Sequence, residues 1–172
     1  MTHSPGADEA PLTEFASVMR RLRAECAWKR GQTHRSLARY LLEETHETLE
    51  AIDGDDDAHL AEELGDLLLQ VYFHAVIAEE RGAFTLDDVA RGAIAKMRRR
   101  NPHVFGTLEQ RAAAGDAVEI NEAWQAIKAQ EQSAAQAGAA GADLPPTLPA
   151  LLLAAKTLER RARAGAAAPA PS

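Results

Sequence analysis

The chain has 172 residues, which suffices for one domain of ordinary size with tails but not for two. Hydrophobic residues make up 46% of it, yet 37 of them are alanine, the strongest helix former, so closely packed helices are favoured. The net charge of −7 argues against non-specific binding to nucleic acid or anionic membranes, and the single cysteine excludes an intramolecular disulfide framework.

The N-terminal residues 1–10 are polar and are predicted to form a disordered leader. They lack the charged start and apolar stretch of a signal peptide. No later run of apolar residues is long enough to form a transmembrane helix. We therefore expect a cytoplasmic protein that does not enter a membrane.

Apolar residues at helical spacing predict five helices, over residues 12–25, 34–53, 58–81, 86–100 and 118–132. Thr33 and Asp57 are the predicted N-caps of the second and third helices. Between the first two helices, residues 26–33 contain a glycine and are predicted to form a loop, and the NPHVFG stretch at 101–106 ends the fourth helix. No alternating pattern demands a strand. The predicted fold class is all-α, an antiparallel bundle of four to five helices.

The predicted domain covers residues 11–132. Residues 133–172 form an Ala-, Gly- and Pro-rich tail, in which one short helix is expected at about 148–163. Because so thin a bundle leaves apolar helix faces uncovered, we expect it to assemble as a tight homodimer, with a tetramer as the alternative.

Charge is unevenly distributed along the chain. Residues 41–66 carry 11 acidic side chains and no Lys or Arg. Basic side chains flank them, seven in residues 20–39 and five in residues 91–100. This order fits a site in which carboxylates hold a cation and basic groups hold phosphates, although solvated helix faces alone would also produce it.

The positions of the carboxylates favour the metal site. Glu43 or Glu44 shares a helical face with Glu47, and Glu63 shares one with Asp66 on the next helix. A short turn separates the two helices, so both pairs can face one cavity. Like charges at the boundary of a core repel one another and lose solvation, so a cation is needed to compensate. Mg²⁺ suits such a site because it binds carboxylates, water and substrate phosphates.

A di-iron bundle is the competing metal hypothesis. Glu43-x-x-His46 matches the Glu-x-x-His element of ferritin-like bundles, which require a second copy of that element. The residue three positions beyond Glu63 is Asp66, so the second copy is absent. His46 is therefore interpreted as a surface or packing histidine.

The acidic residues resemble the metal motif of the MazG family of nucleoside triphosphate pyrophosphohydrolases. The family motif is E-E-x-x-E followed after a short gap by E-x-x-D. It corresponds here to Glu43-Glu44-x-x-Glu47 and Glu63-x-x-Asp66. The surrounding LLEE and ELGDLLLQV segments make the match specific.

The resemblance extends over about residues 12–131. Residues 96–106, KMRRRNPHVFG, are similar to the K-x-x-R-R-H-P-H-V-F-G segment of the family. Trp124-x-x-x-Lys128 is similar to a tryptophan–lysine pair that contacts the nucleotide. The tail resembles the opening of a second domain that stops before any metal motif, as in a single-domain form with a truncated second repeat.

This resemblance implies a Mg²⁺-dependent enzyme, with Mn²⁺ as an alternative ion, that cleaves NTPs or dNTPs to the monophosphate and pyrophosphate in nucleotide-pool house-cleaning. The implied metal ligands are Glu44, Glu47, Glu63 and Asp66. A carboxylate that the metal does not fully occupy can orient or deprotonate the attacking water, and Glu43 and Glu47 are the candidates for this catalytic role.

The substrate-binding residues follow from the same resemblance. Lys96 and Arg100, four residues apart, are implied to hold the triphosphate, although a solvated basic helix end is the structural alternative. Trp124 is implied to stack on the base, with Lys128 nearby. Without the resemblance, a core or interface tryptophan would be the simpler interpretation of Trp124.

Two segments of the chain depart from the family pattern. The C-P-W-D loop of the family appears here as Cys26-Ala27-Trp28-Lys29, which replaces an acid by a base, and Asn101 replaces a histidine. The altered loop at residues 26–29 and the truncated tail support an alternative function, a catalytically weakened nucleotide-binding or regulatory module of the same fold.

Overall fold

The computed structural model describes residues 10–113, 115–136 and 148–166, and all regular elements in these ranges are helices. The helices are α1 (Pro11–Glu25), α2 (Ala27–Arg30), α3 (His34–Asp53), α4 (Asp57–Glu80), α5 (Leu86–Arg100), α6 (Pro102–Phe105), α7 (Leu108–Ala112), α8 (Ala117–Gln136) and α9 (Ala150–Ala166). The predicted all-α class is confirmed. None of these helices combines the length and apolar composition needed to cross a membrane.

The chain divides into two compact units after Met97. In the first unit, α3 and α4 pack along each other as an antiparallel hairpin, and α1 packs against α2 and α4. In the second unit, α6 packs against α7. The single domain expected over residues 11–132 stays a prediction, and residues 1–9 of the predicted leader and residues 137–147 of the predicted tail lie outside the described residues.

The α3–α4 hairpin is defined by caps and a tight turn. Thr33 caps α3 as predicted, because its hydroxyl accepts a hydrogen bond from the Ser36 backbone N–H and the Ser36 hydroxyl accepts one in return. The cap predicted at Asp57 is wrong by one residue: Asp56 accepts from the backbone N–H groups of Ala58 and His59. The shift arises because an N-cap must precede the first helical residue, which is Asp57.

The core of the first unit lies toward the start of α3 and the end of α4. Met19, Leu37 and Phe73 are its largest fully buried side chains. At one side of the core, the Tyr72 hydroxyl donates a hydrogen bond to the Leu12 carbonyl oxygen at 3.0 Å. Leu12 itself is exposed. The face of α1 that packs on the hairpin is therefore narrower than the apolar pattern of α1 predicts.

Three further expectations are corrected by the structure. Residues 27–30 of the predicted loop form α2, which is held by Arg23, whose guanidinium donates to the carbonyls of Lys29 and Gln32. The break after α5 occurs as predicted, but the next residue starts a further helix, α6, because proline is tolerated in the first turn. Of the last two described helices, α8 extends beyond its predicted bounds at both ends, whereas α9 begins and ends a few residues later than predicted.

A histidine pair joins the start of α3 to α4. The Nδ1 atoms of His34 and His74 are 2.7 Å apart, and Arg81 Nη2 lies 2.8 Å from His34 Nε2. Because a guanidinium only donates, His34 Nε2 must accept, so His34 Nδ1–H donates to His74 Nδ1. A proton on His74 Nδ1 would abolish that hydrogen bond. Burial, and then the neighbouring His34, lower the pKa of His74.

We expect this pair to make the protein less stable in acid. The unfolded chain takes up a proton at His74 near pH 6.5, whereas the folded chain does so only at lower pH. The unfolded state therefore binds more protons in that interval, and the free energy of unfolding falls as the pH falls through it. Denaturant unfolding between about pH 7 and about pH 5 should show a shallower pH dependence for His74→Asn than for the wild type.

The matched control is His46→Asn, since His46 is an exposed histidine on α3. It should keep the pH dependence of the wild type. If the free energy of unfolding changes equally with pH in the wild type and in His74→Asn, the assignment of this pH dependence to His74 is contradicted.

Candidate metal and nucleotide site

The α3–α4 hairpin brings acidic side chains of the two helices together. One turn of α3 carries Glu44 and Glu47, and one turn of α4 carries Glu63 and Asp66. One carboxylate oxygen from each of Glu44, Glu63 and Asp66 lies within 4.8 Å of the others. We call these three residues the carboxylate triad.

The triad spans the boundary between core and solvent. Glu63 is buried, with 9% of its surface exposed, while Glu44 and Asp66 are half-buried. Burial raises the pKa of Glu44, and the charges of Asp66 and Glu47 raise it further. The folded chain thus holds like charges at a site where water cannot fully screen them.

The two oxygens of Glu63 have different surroundings. Oε1 lies 3.1 Å from Nε2 of His59, one turn earlier on α4. Oε2 is buried and has no hydrogen-bond partner among the described residues. A buried, unpartnered carboxylate oxygen is costly, because its lost hydration is not replaced. A cation at this position would replace it.

The dimensions of the triad fit a divalent cation. With the usual metal–oxygen distance of about 2.1 Å, the ligands of an octahedral Mg²⁺ are about 3.0 Å apart when adjacent and about 4.2 Å apart when opposite. The oxygens of the triad lie within 4.8 Å of one another, so side-chain rotations would bring them together around one ion. All three are hard oxygen donors, as Mg²⁺ and Mn²⁺ prefer.

Two of the predicted acidic residues lie outside this group. Glu43 and Glu47 are exposed, and neither belongs to the set of ligand atoms within 4.8 Å. The charge of Glu47 nevertheless contributes to the raised pKa of Glu44, so the two side chains are electrostatically coupled. His46 is also exposed and outside the group, as expected for a surface histidine.

In the second unit, three predicted substrate-binding residues lie together. The guanidinium carbon of Arg100 is 5.1 Å from the centroid of the Trp124 ring, and Nζ of Lys128 is 5.2 Å from it. Both distances are within the range of a cation–π contact. Trp124 is half-buried, so the cations leave part of its surface exposed. Lys96, the fourth predicted residue, lies in the first unit and is exposed.

Glu131 is a partner of Arg100 that the sequence analysis did not identify. Nε and Nη2 of Arg100 donate to Glu131 Oε2 at 2.9 and 2.6 Å, and Arg99 donates to Oε1 at 2.6 Å. Hydrogen bonds from Arg99 and Arg100 lower the pKa of Glu131 to about 2. The spacing of Trp124, Lys128 and Glu131 along α8 places them on one face, and could have identified Glu131 as a further candidate residue.

Two polar neighbours of the triad were also missed. Gln70 donates from Nε2 to Glu44 Oε1 at 3.4 Å, and His59 contacts Glu63 as described above. Each lies four residues from a triad member on α4, His59 before Glu63 and Gln70 after Asp66. The same helical spacing that identified the acidic pairs could have identified them.

Lys29, which replaces an acidic residue of the family motif, is accommodated by aromatic rings. Its Nζ lies 5.5 Å from the Trp28 ring centroid and 5.2 Å from that of Phe73. The reversed charge is therefore placed against two negative ring faces in the first unit.

Known proteins are similar to this chain in sequence and in fold. Residues 32–105 match the family model for the MazG nucleotide pyrophosphohydrolase domain. A Thermotoga maritima protein named nucleoside triphosphate pyrophosphohydrolase/pyrophosphatase MazG is 45% identical over 154 residues, which cover 88% of this chain and 57% of that protein. An Escherichia coli protein named nucleoside triphosphate pyrophosphohydrolase is 40% identical over 157 residues, which cover 90% of this chain and 58% of the relative.

A solved structure shares the fold. The crystal structure of a MazG-related protein from Thermotoga maritima superposes with a TM-score of 0.56 at 23% identity, covering 67% of this chain and 97% of that one. The chain thus spans somewhat more than half the length of the two named relatives. On the family match and the identity to these relatives, the chain belongs to the MazG family.

Proposed function

We propose that this chain hydrolyses nucleoside triphosphates, with ribose or deoxyribose, to the monophosphate and pyrophosphate in nucleotide-pool house-cleaning. The observation that carries the proposal is the carboxylate triad, in which one buried oxygen of Glu63 has no partner among the described residues. The names of the Thermotoga and Escherichia relatives supply the reaction class. The cytoplasmic location expected from the sequence is compatible with this role.

The triad residues Glu44, Glu63 and Asp66 are the proposed ligands of Mg²⁺, or of Mn²⁺ in its place. Glu47 is the proposed fourth ligand, because its charge already acts on Glu44 and its exposed side chain is free to rotate toward the ion. When bound, the ion supplies Lewis-acid activation and neutralises charge on the phosphate oxygens.

The attacking water is assigned to Glu43 and Glu47. Both carboxylates are exposed, so water can reach them, and both lie within one turn of Glu44 on α3. A carboxylate there accepts a hydrogen bond from the water, orients it for in-line attack and takes its proton. Glu47 can act both as a metal ligand and as the base, because one of its oxygens can bind the ion while the other accepts a hydrogen bond from the water.

Lys96, Arg100, Trp124 and Lys128 are the proposed substrate-binding residues. Lys96 and Arg100 are assigned to the triphosphate, and Arg100 would exchange one anionic partner, Glu131, for another. Trp124 is assigned to base stacking, with Lys128 beside it. Stacking on an indole is available to every base, so no base preference is predicted.

Replacing Glu63 by Gln should separate metal binding from folding. The substitution removes one of the repelling charges, so the metal-free variant should unfold at a higher temperature than the wild type. Mg²⁺ at about 100 times its Kd should stabilise the wild type by about 2.7 kcal/mol and the variant much less. With Mg²⁺ and a panel of NTPs and dNTPs, the wild type should release pyrophosphate and the variant should not.

Glu62→Gln is the matched control, since Glu62 is the exposed carboxylate next to Glu63 and lies outside the triad. It should keep both turnover and the stabilisation by Mg²⁺. If the wild type releases no pyrophosphate from any nucleotide at high enzyme concentration, the proposed activity is wrong. Stabilisation by nucleotides without turnover would support the catalytically weakened module instead.

Arg100 and Arg99 offer a second matched pair. Both bind Glu131, but the Arg100 side chain is 14% exposed and stacks on Trp124, whereas the Arg99 side chain is 55% exposed. Arg100→Ala should raise the KM for the nucleotide about 10- to 100-fold, because a hydrogen bond to a charged group contributes roughly 1.5–3 kcal/mol. Arg99→Ala should change KM little. Equal effects in steady-state kinetics would argue against a specific role for Arg100.

The homodimer expected from the sequence is also part of the proposal. Large apolar side chains of the hairpin are 40–54% exposed, namely Leu41, Leu42, Leu49, Ile52, Leu64 and Val71. A Cβ added at Gly65 would meet no atom within 4 Å, so packing within the described chain does not require glycine there. A second copy that covers this face would account for both observations.

Sedimentation should therefore give a dimer for the wild type and a monomer for Leu49→Lys. Leu108→Lys is the control, because Leu108 is 77% exposed and lies on α7 rather than on the hairpin. A monomeric wild type at micromolar concentration would contradict the dimer.

A further inference from the structure

Gln70 is a buried polar residue that the proposed reaction does not use. It lies one turn after Asp66 on α4, with 3% of its surface exposed. Its Nε2 donates to Oε1 of Glu44 at 3.4 Å, across the contact between α3 and α4. The amide nitrogen must face Glu44, because a carboxylate can only accept.

The other end of the Gln70 amide has no partner. Its Oε1 is buried and accepts no hydrogen bond from the described residues. A buried, unpartnered carbonyl oxygen is destabilising, whereas a hydrogen bond to a charged group is stabilising. The two effects are of similar size, so Gln70 contributes little net stability. Its hydrogen bond to Glu44 therefore acts mainly on the position of that carboxylate.

Glu44 and Glu63 each have one carboxylate oxygen in contact with a polar side chain of α4. His59 occupies Oε1 of Glu63 and leaves its Oε2 unpartnered, while Gln70 occupies Oε1 of Glu44. Among the described residues, the side-chain hydrogen bond of the Glu44 carboxylate is the one from Gln70 to Oε1. One oxygen of each carboxylate is thus fixed by a neighbour on α4, and the other remains available to an ion.

We propose that Gln70 is a positioning residue for the metal site: its amide holds one oxygen of Glu44 so that the other points toward Glu63 and Asp66. The inference rests on the proposed function, since it assigns Gln70 to the cation site of that reaction. A partner that orients a metal-binding carboxylate typically contributes 10- to 100-fold to metal affinity.

The test is Gln70→Met, which keeps the length and burial of the side chain but removes the donor. Titration calorimetry of the metal-free protein with Mn²⁺, without nucleotide, should show binding weakened about 10- to 100-fold. The midpoint of thermal unfolding without metal should not fall, because the unpartnered carbonyl oxygen is removed together with the donor. Raising the Mg²⁺ concentration should restore kcat in the variant, since only metal affinity is impaired.

Thr48→Val is the matched control for burial. Thr48 is 6% exposed, and its hydroxyl donates to the backbone carbonyl oxygen of Glu44 at 2.7 Å rather than to the carboxylate. This variant should keep the Mn²⁺ affinity of the wild type. An equal loss of affinity in Thr48→Val would overturn the positioning role.

The outcomes also distinguish this inference from the proposed function. If the wild type binds Mn²⁺ and releases pyrophosphate, but Gln70→Met binds Mn²⁺ equally well, only the role of Gln70 is wrong. If the wild type binds Mn²⁺ without turnover and Gln70→Met loses affinity, the positioning role stands and the proposed reaction fails. A wild type that binds no Mn²⁺ overturns both.

Discussion

The repulsion among three carboxylates at the α3–α4 contact is the constraint on which the first unit depends. Glu44, Glu63 and Asp66 place ligand oxygens within 4.8 Å of one another, and burial raises the pKa of Glu44. A surface cluster would be screened by water, but Glu63 is buried and its Oε2 has no partner among the described residues. The folded chain keeps this unfavourable arrangement, which a divalent cation would turn into a favourable one.

The rest of the hairpin keeps the two helices in place against that repulsion. Leu37 and Phe73 are fully buried toward the start of α3 and the end of α4, away from the triad. At the other end, the short turn between Asp53 and Asp57 fixes which residues of the two helices face each other. The apolar core thus supplies the free energy that holds the carboxylates together, and the turn supplies their register.

Helical spacing sufficed to predict much of this arrangement. The cap at Thr33, the two long helices and the facing acidic pairs all follow from periodicity and local hydrogen bonding, which are properties of short segments. The ion pair between Arg100 and Glu131 and the hydrogen bond between Gln70 and Glu44 join residues 31 and 26 positions apart. Spacing along α8 and α4 can mark Glu131 and Gln70 as residues on the face of each site, but their contacts with Arg100 and Glu44 depend on how helices pack and could not be predicted from local patterns. Helical spacing identified Glu47 and Glu63 equally as candidate metal ligands. The packing of the helices leaves Glu47 exposed and buries Glu63.

The metal site can be tested directly by anomalous diffraction from crystals grown with Mn²⁺ and a non-hydrolysable nucleoside triphosphate analogue. We expect a strong anomalous peak within coordination distance of Glu44, Glu63 and Asp66, and continuous density from that ion to the phosphates of the analogue. A crystal with the analogue bound elsewhere and no anomalous peak among these three carboxylates would contradict the proposed metal site.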